Sequence, residues 1–292
     1  IALVALLLAP AAQAEATPRP QLSLLPAWSH AVPGGELEVG LHFDLPAGWH
    51  IYWTNPGDSG LATEASFSGP PGATFSPVGY PAPERIESAG GIVNYAYADT
   101  TALFTTVSVP ADLSGPLTLN AEASWLLCRE ICVHQTGDAT ATIPQPSRRS
   151  RLQPTHADRL TEPRSRLPQP LTDAVAERRW RRACGWSTEV AVDGKLPAEV
   201  LPDVDVESVW TGHSLRWEDG AVVLRMDGQF TTAGPPVASV VLALKRRGGT
   251  RWYRVDVPLR EAAWEDAPDG NPAPIPEPPD AAASPIDPGA TP

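Results

Sequence analysis

Cys128 and Cys132, separated by three residues, are the residues of this 292-residue chain whose type and spacing point to chemistry. On a helix their Cβ atoms would lie roughly 5–6 Å apart, whereas a disulfide requires about 3.5–4.5 Å. If Arg129, Glu130 and Ile131 form a three-residue hairpin loop, the cysteines become directly opposed cross-strand partners with Cα atoms about 4.5–5.5 Å apart. A disulfide accepts this distance.

A disulfide in so small a ring is better suited to exchange than to stabilisation. The loop-closure formula gives it only about 2 kcal/mol of stabilising free energy, and tight disulfides at surface turns are the ones readily reduced. Exchange requires a thiolate, which positive neighbours favour and negative neighbours oppose. Arg129 and His134 are neighbours that can carry positive charge, and Glu130 is a negative one. We therefore interpret the cysteines as a redox-active pair, with a structural bridge as the alternative.

Two other functions use the same residues differently. Cys128, Cys132 and His134 are soft ligands that would suit Cu(I), although no fourth ligand lies nearby in the sequence. A non-catalytic adaptor that binds partners through its sheet faces is the remaining hypothesis. The sequence has no recognisable Ser-His-Asp, phosphate-loop or paired-carboxylate motif, and it predicts no cofactor.

The residues before Cys128 predict the strand that positions it. Apolar residues alternate there with polar or small ones, at Leu117, Leu119, Ala121, Ala123, Trp125 and Leu127. This is the period of a half-buried strand. Residues 37–43 and 49–53 alternate in the same way, with turns rich in Pro and Gly between the runs. We therefore predict an all-β fold, with an antiparallel immunoglobulin-like sandwich over residues 17–146.

His50 and Tyr52 share one face of a predicted strand. The neighbouring tryptophans Trp49 and Trp53 fall on the other face, where they suit a sandwich core. Two interpretations stay open for His50 and Tyr52: they line the cysteine site, or they form a half-buried pair whose polar groups are satisfied within the fold.

The rest of the chain divides into four further segments. Residues 1–14 resemble a signal peptide, incomplete at its front, and predict export. Residues 147–184 are predicted to be an arginine- and proline-rich linker with a short helix over 172–182. Residues 185–265 predict a second, smaller sandwich, and residues 266–292 a disordered tail rich in Pro, Ala and Asp.

The net charge of the chain limits the classes of partner that it can bind, and the cysteine count leaves one thiol unassigned. The formal net charge of −12 argues against nucleic acid or an anionic membrane as the main partner. No stretch approaches the roughly 20 apolar residues of a transmembrane helix, so no membrane span is expected in the mature chain. Export places the cysteines where disulfides persist. Cys184 is the odd third cysteine and is expected to be an incidental free thiol.

Four motifs in order give the chain a family likeness. They are Gly48-Trp49-His50-Ile51-Tyr52-Trp53-Thr54-Asn55-Pro56-Gly57-Asp58-Ser59-Gly60, Pro81-Ala82-Pro83-Glu84-Arg85, Val93-Asn94-Tyr95-Ala96-Tyr97, and Trp125-Leu126-Leu127-Cys128 with Cys132-Val133. Together they resemble the N-terminal periplasmic domain of the DsbD/ScsB thiol:disulfide interchange proteins. The short gap between the cysteines is closer to the ScsB-like branch. The likeness is strong over residues 21–143 and weaker over the second β region.

The resemblance implies a periplasmic protein-disulfide reductase. Its redox pair would be Cys128 and Cys132, which would take electrons from a separate membrane donor of DsbD/ScsB type and pass them to exported thioredoxin-fold proteins. Part of residues 82–94 would form a loop that covers the pair, and Tyr95 or Tyr97 beside that loop would pack on the disulfide. ScsB-like proteins are also linked by name to copper tolerance, which is the basis of the metal alternative.

Overall fold

A computed structural model describes the chain in two units that divide between Arg164 and Ser165. The described residues are 18–88, 90–171, 175–182, 185–193, 197–203, 208–218, 221–230, 237–246, 249–258 and 265–266. The predicted signal peptide, Cys184 and nearly all of the predicted tail lie outside the described residues. Among the helices within these ranges, none combines the length and the apolar character needed to cross a membrane.

The first unit is built from short antiparallel strands. They are β1 Gln21–Pro26, β2 Glu36–Asp44, β3 His50–Gly57, β4 Glu64–Ser68, β5 Thr74–Phe75, β6 Glu84–Ser88, β7 Ile92–Ala98, β8 Thr100–Ser108, β9 Leu117–Cys128 and β10 Cys132–Ile143. One sheet has the order β1-β2-β8-β5. The other has the order β10-β9-β3-β7-β6, with β4 also paired to β9.

The core of the first unit lies between these two sheets. Alternate residues of β9 are buried, as its apolar period predicts, whereas residues 39–43 of β2 are all buried. Phe43 on β2 meets Trp125 on β9 edge to face, with ring centroids 5.5 Å apart. The all-β antiparallel architecture confirms the predicted immunoglobulin-like fold.

A segment predicted to be part of a mobile linker is instead attached to the first unit. The amide of Ser29 donates to the carbonyl of Gln153 at 2.9 Å, and the amide of Thr155 donates to the carbonyl of Ala27 at 2.9 Å. The hydroxyl of Thr155 donates to the carbonyl of Pro26 at 2.6 Å. These bonds fix the backbone in place, so the linker prediction is wrong for this stretch.

The same stretch continues into the helix α1, Ala157–Ser165, which packs on β2 and β8. Leu160 is 1% exposed, and its Cδ2 atom lies 2.7 Å from where a Cβ on Gly40 would stand, so only glycine admits this close approach. Arg164 places its guanidinium 5.6 Å from the Phe104 ring centroid and pairs with Glu38.

The second unit contains two further sheets. Their strands are β11 Gln169–Pro170, β12 Val175–Arg182, β13 Gly185–Asp193, β14 Glu199–Pro202, β15 Ser208–Glu218, β16 Ala221–Phe230, β17 Val237–Arg246, β18 Gly249–Pro258 and β19 Glu265–Asp266. The orders are β11-β18-β17-β14 and β15-β16-β13-β12-β19. Most pairs are antiparallel, and β11 with β18 and β12 with β19 are short parallel pairs.

Of the predicted helix over residues 172–182, residues 172–174 lie outside the described residues and residues 175–182 form the strand β12 instead. Its residues pair antiparallel with β13, with Arg179 opposite Thr188 and Trp180 opposite Ser187. Arginine is a good helix former, and this favoured a helix in the sequence. Pairing with β13 overrides that local propensity, because the cross-strand ladder satisfies the same backbone groups.

Candidate functional site

The β9–β10 hairpin brings the two cysteines together at its tip. The strands pair in continuous register from Leu117 opposite Ile143 to Cys128 opposite Cys132. Arg129 donates its amide proton to the carbonyl of Ile131 at 3.1 Å, which closes the three-residue loop. A disulfide joins the cysteines, whose Cα atoms are 4.1 Å apart. The chain thus adopts the bend that the spacing of the cysteines requires.

The two sulfur-bearing residues differ in their exposure. Cys128 is 1% exposed and forms a buried cluster with Tyr52 and Ala96, against which Ile86 and Leu126 pack. Cys132 is exposed, and the Ile131 side chain before it is 61% exposed. An incoming thiolate therefore has access to Cys132, while Cys128 lies in an apolar environment that disfavours its charged form.

His50 is the cross-strand neighbour of Cys128 on the other side. It pairs with Cys128 of β9 and with Ala98 of β7, so the four residues Ala98, His50, Cys128 and Cys132 form a row across four strands. Directly opposed residues place their side chains on the same face of a sheet. Burial lowers the pKa of the half-buried His50 imidazole below its ordinary value.

Tyr52 connects this row to the loop that follows β3. Its ring meets the His50 ring edge to face, with centroids 5.2 Å apart. The ring also packs against Gly60, where an added Cβ would come within 2.6 Å of it. Burial raises the pKa of Tyr52, and a hydrogen bond with Ser59 acts in the opposite direction. The Ser59 hydroxyl in turn donates to the side-chain oxygen of Asn94 at 3.1 Å.

The charged residues predicted at the site lie around the hairpin tip. Arg129 is exposed, with its guanidinium carbon 5.3 Å from the centroid of Trp49. Glu130 is exposed within the loop. His134 is exposed opposite Leu126, two residues past Cys132 and therefore on the same face of the sheet.

Tyr95 and Tyr97 lie on the other face of the sheet, which corrects the expectation that one of them packs on the disulfide. Tyr97 opposes Ile51 and donates its hydroxyl proton to the carbonyl of Pro81 at 2.7 Å. Tyr95 packs edge to face on Trp53, with centroids 6.3 Å apart. The residue between the tyrosines, Ala96, is the one that joins the Cys128 cluster.

The segment predicted to cover the cysteines is a hairpin rather than a loop. The strands β6 and β7 pair from Glu84 opposite Ala96 to Ser88 opposite Ile92, at the edge of the sheet. Ile86 of β6 packs against the Cys128 cluster. The hairpin thus shields Cys128, whereas Cys132 stays exposed.

The sequence analysis did not single out several residues of this site. Ile86, Leu126, Ala96, Ser59 and Gly60 received no role there. For Ile86 the available signal was its position between the charged residues of β6, which marks a strand with one apolar face. For Gly60 the available signal was the run of turn-forming residues at positions 55–60. Gly60 has a φ of +108°, a conformation that favours glycine.

The copper alternative finds no ligand set in the part of the chain that the structure describes. Within it, no three His, Cys, Asp or Glu side chains are grouped so that they could hold a metal ion. Cys128 and Cys132 are joined to each other, and sulfur binds metal as the thiolate.

Part of the first unit matches a known protein family. Residues 21–144 match the family described as "Thiol:disulfide interchange protein DsbD, N-terminal". These residues form a DsbD N-terminal domain. The crystal structure of the N-terminal periplasmic domain of ScsB from Proteus mirabilis is similar, with a TM-score of 0.52 and 14% sequence identity. This match covers 78% of the present chain and 90% of that chain. No curated protein matches the sequence.

The DsbD family and the geometry agree on a broad activity. The matched residues contain the whole β9–β10 hairpin with its disulfide, together with His50 and Tyr52. The ScsB match covers 78% of the chain, which is more than the first unit, Ile1–Arg164, can provide alone. The likeness in fold therefore extends into the second unit. Thiol–disulfide interchange is the chemistry that this family and this cysteine pair support.

Proposed function

We propose that the protein is a periplasmic thiol–disulfide interchange module that relays reducing equivalents through Cys128 and Cys132. A separate membrane dithiol donor of DsbD/ScsB type would reduce the pair, and exported thioredoxin-fold proteins would be the recipients. The observation that carries the proposal is the asymmetric disulfide at a hairpin tip, in which Cys132 is an exposed residue and Cys128 a buried one. A structural bridge would gain little from an exposed sulfur, whereas exchange requires one.

Reduction of the protein follows from this asymmetry. A thiolate of the donor attacks Sγ of Cys132, the Cys128 sulfur leaves with the electron pair of the broken bond, and a mixed disulfide joins the donor to Cys132. The second thiolate of the donor then attacks its own partner sulfur and releases Cys132 as a thiolate. The donor dithiol is oxidised to a disulfide, and the module holds two reduced cysteines.

Delivery to a recipient runs through the same sulfur. The Cys132 thiolate attacks the recipient disulfide and forms a mixed disulfide, with one recipient sulfur leaving as a thiolate. Cys128 then attacks Cys132, which restores the intramolecular disulfide and frees the second recipient thiolate. Both half-reactions therefore use Cys132 for the intermolecular bond and Cys128 for the intramolecular one.

Trapping of the mixed disulfide tests the proposal. In a Cys184→Ser background, Cys128→Ser removes the sulfur that resolves the intermediate. A thioredoxin that lacks its own resolving cysteine and carries thionitrobenzoate on the other as a mixed disulfide should then become trapped on Cys132, with release of thionitrobenzoate. The matched variant Cys132→Ser leaves only a buried thiol and should trap little. Equal trapping by both variants, or by neither, contradicts the proposed route.

The midpoint potential of the couple separates a redox function from a structural one. It is measured by thiol alkylation after equilibration in glutathione buffers. A value near about −270 mV suits a reductant relay, and a value well below about −300 mV indicates a structural bridge.

A further inference from the structure

We propose that His50 transfers the proton to and from the Cys128 sulfur during exchange. The inference rests on the proposed function and assigns one step of it to a residue beyond the two cysteines. His50 is directly opposed to Cys128 on the neighbouring strand, where Cβ atoms of opposed residues stand about 4.5–5.5 Å apart on the same face of the sheet. On its other side His50 faces the small residue Ala98.

The Cys128 sulfur needs such a partner because it is buried. It is 1% exposed among Tyr52, Ala96, Ile86 and Leu126, so a thiolate there lacks hydration. When Cys128 leaves during reduction, it must take up a proton. When it attacks Cys132 during delivery, its thiol must first lose one. Both steps require an acid–base group beside a sulfur that bulk water does not reach.

The other titratable group beside Cys128 is poorly suited to this role. Burial raises the pKa of Tyr52, and its hydroxyl is occupied by Ser59. An acid whose pKa lies far above neutrality transfers protons slowly in either direction at pH 7.

His50 has the properties that the step demands. The ring is half-buried, so it meets both the sheet face of Cys128 and the solvent. Two titratable groups of the described residues face the His50 ring, namely Tyr52 of the same strand and Cys128 of β9. The neighbouring strand β7 presents Ala98, which does not titrate. Its imidazole is neutral at pH 7, because burial lowers its pKa, and can accept the thiol proton.

The delivery step then balances as follows. Neutral His50 takes the proton of the Cys128 thiol, and the resulting thiolate attacks Cys132 in the mixed disulfide. The intramolecular disulfide forms, the recipient sulfur leaves with the electron pair, and the imidazolium returns its proton to water or to that sulfur. In the reduction step His50 takes a proton from water and, as imidazolium, donates it to the departing Cys128 thiolate, which leaves a neutral imidazole and the Cys128 thiol.

Reaction of the reduced protein with oxidised glutathione tests the inference. Cys132 attacks this small disulfide and becomes glutathionylated, and Cys128 then resolves the adduct. In a Cys184→Ser background, His50→Gln should slow resolution by about 10²-fold, the low end of general acid–base catalysis. The adduct should accumulate and is measured by mass spectrometry after acid quenching. His30→Gln, which changes a histidine between β1 and β2, is the matched control and should resolve like the parent.

A chemical rescue distinguishes proton transfer from a merely structural role. His50→Ala removes the ring, and added imidazole should restore the resolution rate in proportion to its concentration. A His50→Gln protein that resolves at the parental rate with an unchanged pH profile overturns the inference while leaving the proposed function intact. A Cys128→Ser protein, which cannot resolve the adduct, that still forms none on Cys132 overturns the proposed function itself.

Discussion

Asp58 and Val93 are joined by two reciprocal hydrogen bonds. The amide of Val93 donates to the carboxylate of Asp58 at 2.8 Å, and the amide of Asp58 donates to the carbonyl of Val93 at 2.8 Å. Beside them, the amide of Ser59 donates to the side-chain oxygen of Asn94 at 3.2 Å. The loop after β3 is thereby attached to the β6–β7 hairpin, and together they surround Tyr52 and the buried cysteine.

Asp58→Ala should destabilise the first unit by about 0.5–1.5 kcal/mol, because the Val93 amide exchanges its carboxylate acceptor for water at this exposed position. Denaturant unfolding of the oxidised protein measures the change. Asp112→Ala removes another exposed aspartate and should shift the free energy of unfolding by less than about 0.5 kcal/mol. Equal midpoints for the two variants would mean that the loop attachment does not stabilise the fold.

Gly60→Ala should disturb the packing on the buried sulfur. The added Cβ would lie 2.6 Å from the Tyr52 ring, at a φ of +108°. Tyr52 must then shift, and Cys128 becomes more accessible. In a background without Cys132 and Cys184, alkylation of Cys128 by iodoacetamide should be faster in this variant.

Gly90→Ala is the matched control for that substitution. Gly90 also has a positive φ, +89°, but an added Cβ meets nothing within 4 Å. This variant carries the backbone strain without the contact, so it should lose some stability and leave the alkylation rate of Cys128 unchanged. Similar rates for both glycine variants would refute the packing argument.

Leu160→Ala should detach α1 from the first unit. Leu160 is buried against Gly40 and Phe104, and truncation of such a residue costs about 2–5 kcal/mol. Trypsin should then cleave faster after the arginines at positions 148, 149 and 151. Leu152→Ala, in a side chain that is 52% exposed, should behave like the parent protein. Unchanged cleavage in the Leu160 variant would show that α1 contributes little to the unit.

The first unit should lose stability as the pH falls below 6.5. Burial, and secondarily Arg159, lowers the pKa of His42 from its ordinary value of 6.5, while Asp44 and Asp158 act in the opposite direction. Between the lowered pKa and 6.5 the unfolded chain binds more protons than the folded one, so the free energy of unfolding rises with pH through this window.

Urea midpoints between pH 5 and pH 8 measure this dependence. Because the pKa of His50 is lowered in the same direction, His50→Gln is compared beside His42→Gln. Each variant should flatten the pH dependence in part. An unchanged slope in His42→Gln would mean that this side chain binds protons equally in the two states.

Sequence reasoning reached the cysteine hairpin because the spacing of the cysteines limits the backbone to few geometries. The strand faces within β3 were also predictable, since alternation has a fixed period of two. The phase between strands was not, and this is why Tyr95 and Tyr97 were assigned to the wrong face. Tyr52 opposes Ala96, and a shift of one residue in that pairing would reverse every side chain of β7.

The segments rich in arginine and proline were the other source of error. Composition alone does not show that Leu160 fits a site made by Gly40 and Phe104, because both of these residues are far from Leu160 in the sequence. Nor does it show that β12 finds a partner in β13. Both outcomes depend on tertiary contacts that local patterns do not encode.

The hairpin that carries the cysteines places them opposite each other through a continuous backbone ladder that extends along both strands. Most of the chain entropy of bringing them together is therefore lost when the domain folds, and little remains to be lost when the bond closes. The oxidised and reduced forms should then have nearly the same shape. A partner would distinguish the reduced module from the oxidised one by the chemistry of its sulfurs alone. The direction of electron transfer would then be set by the relative reduction potentials rather than by a change of conformation.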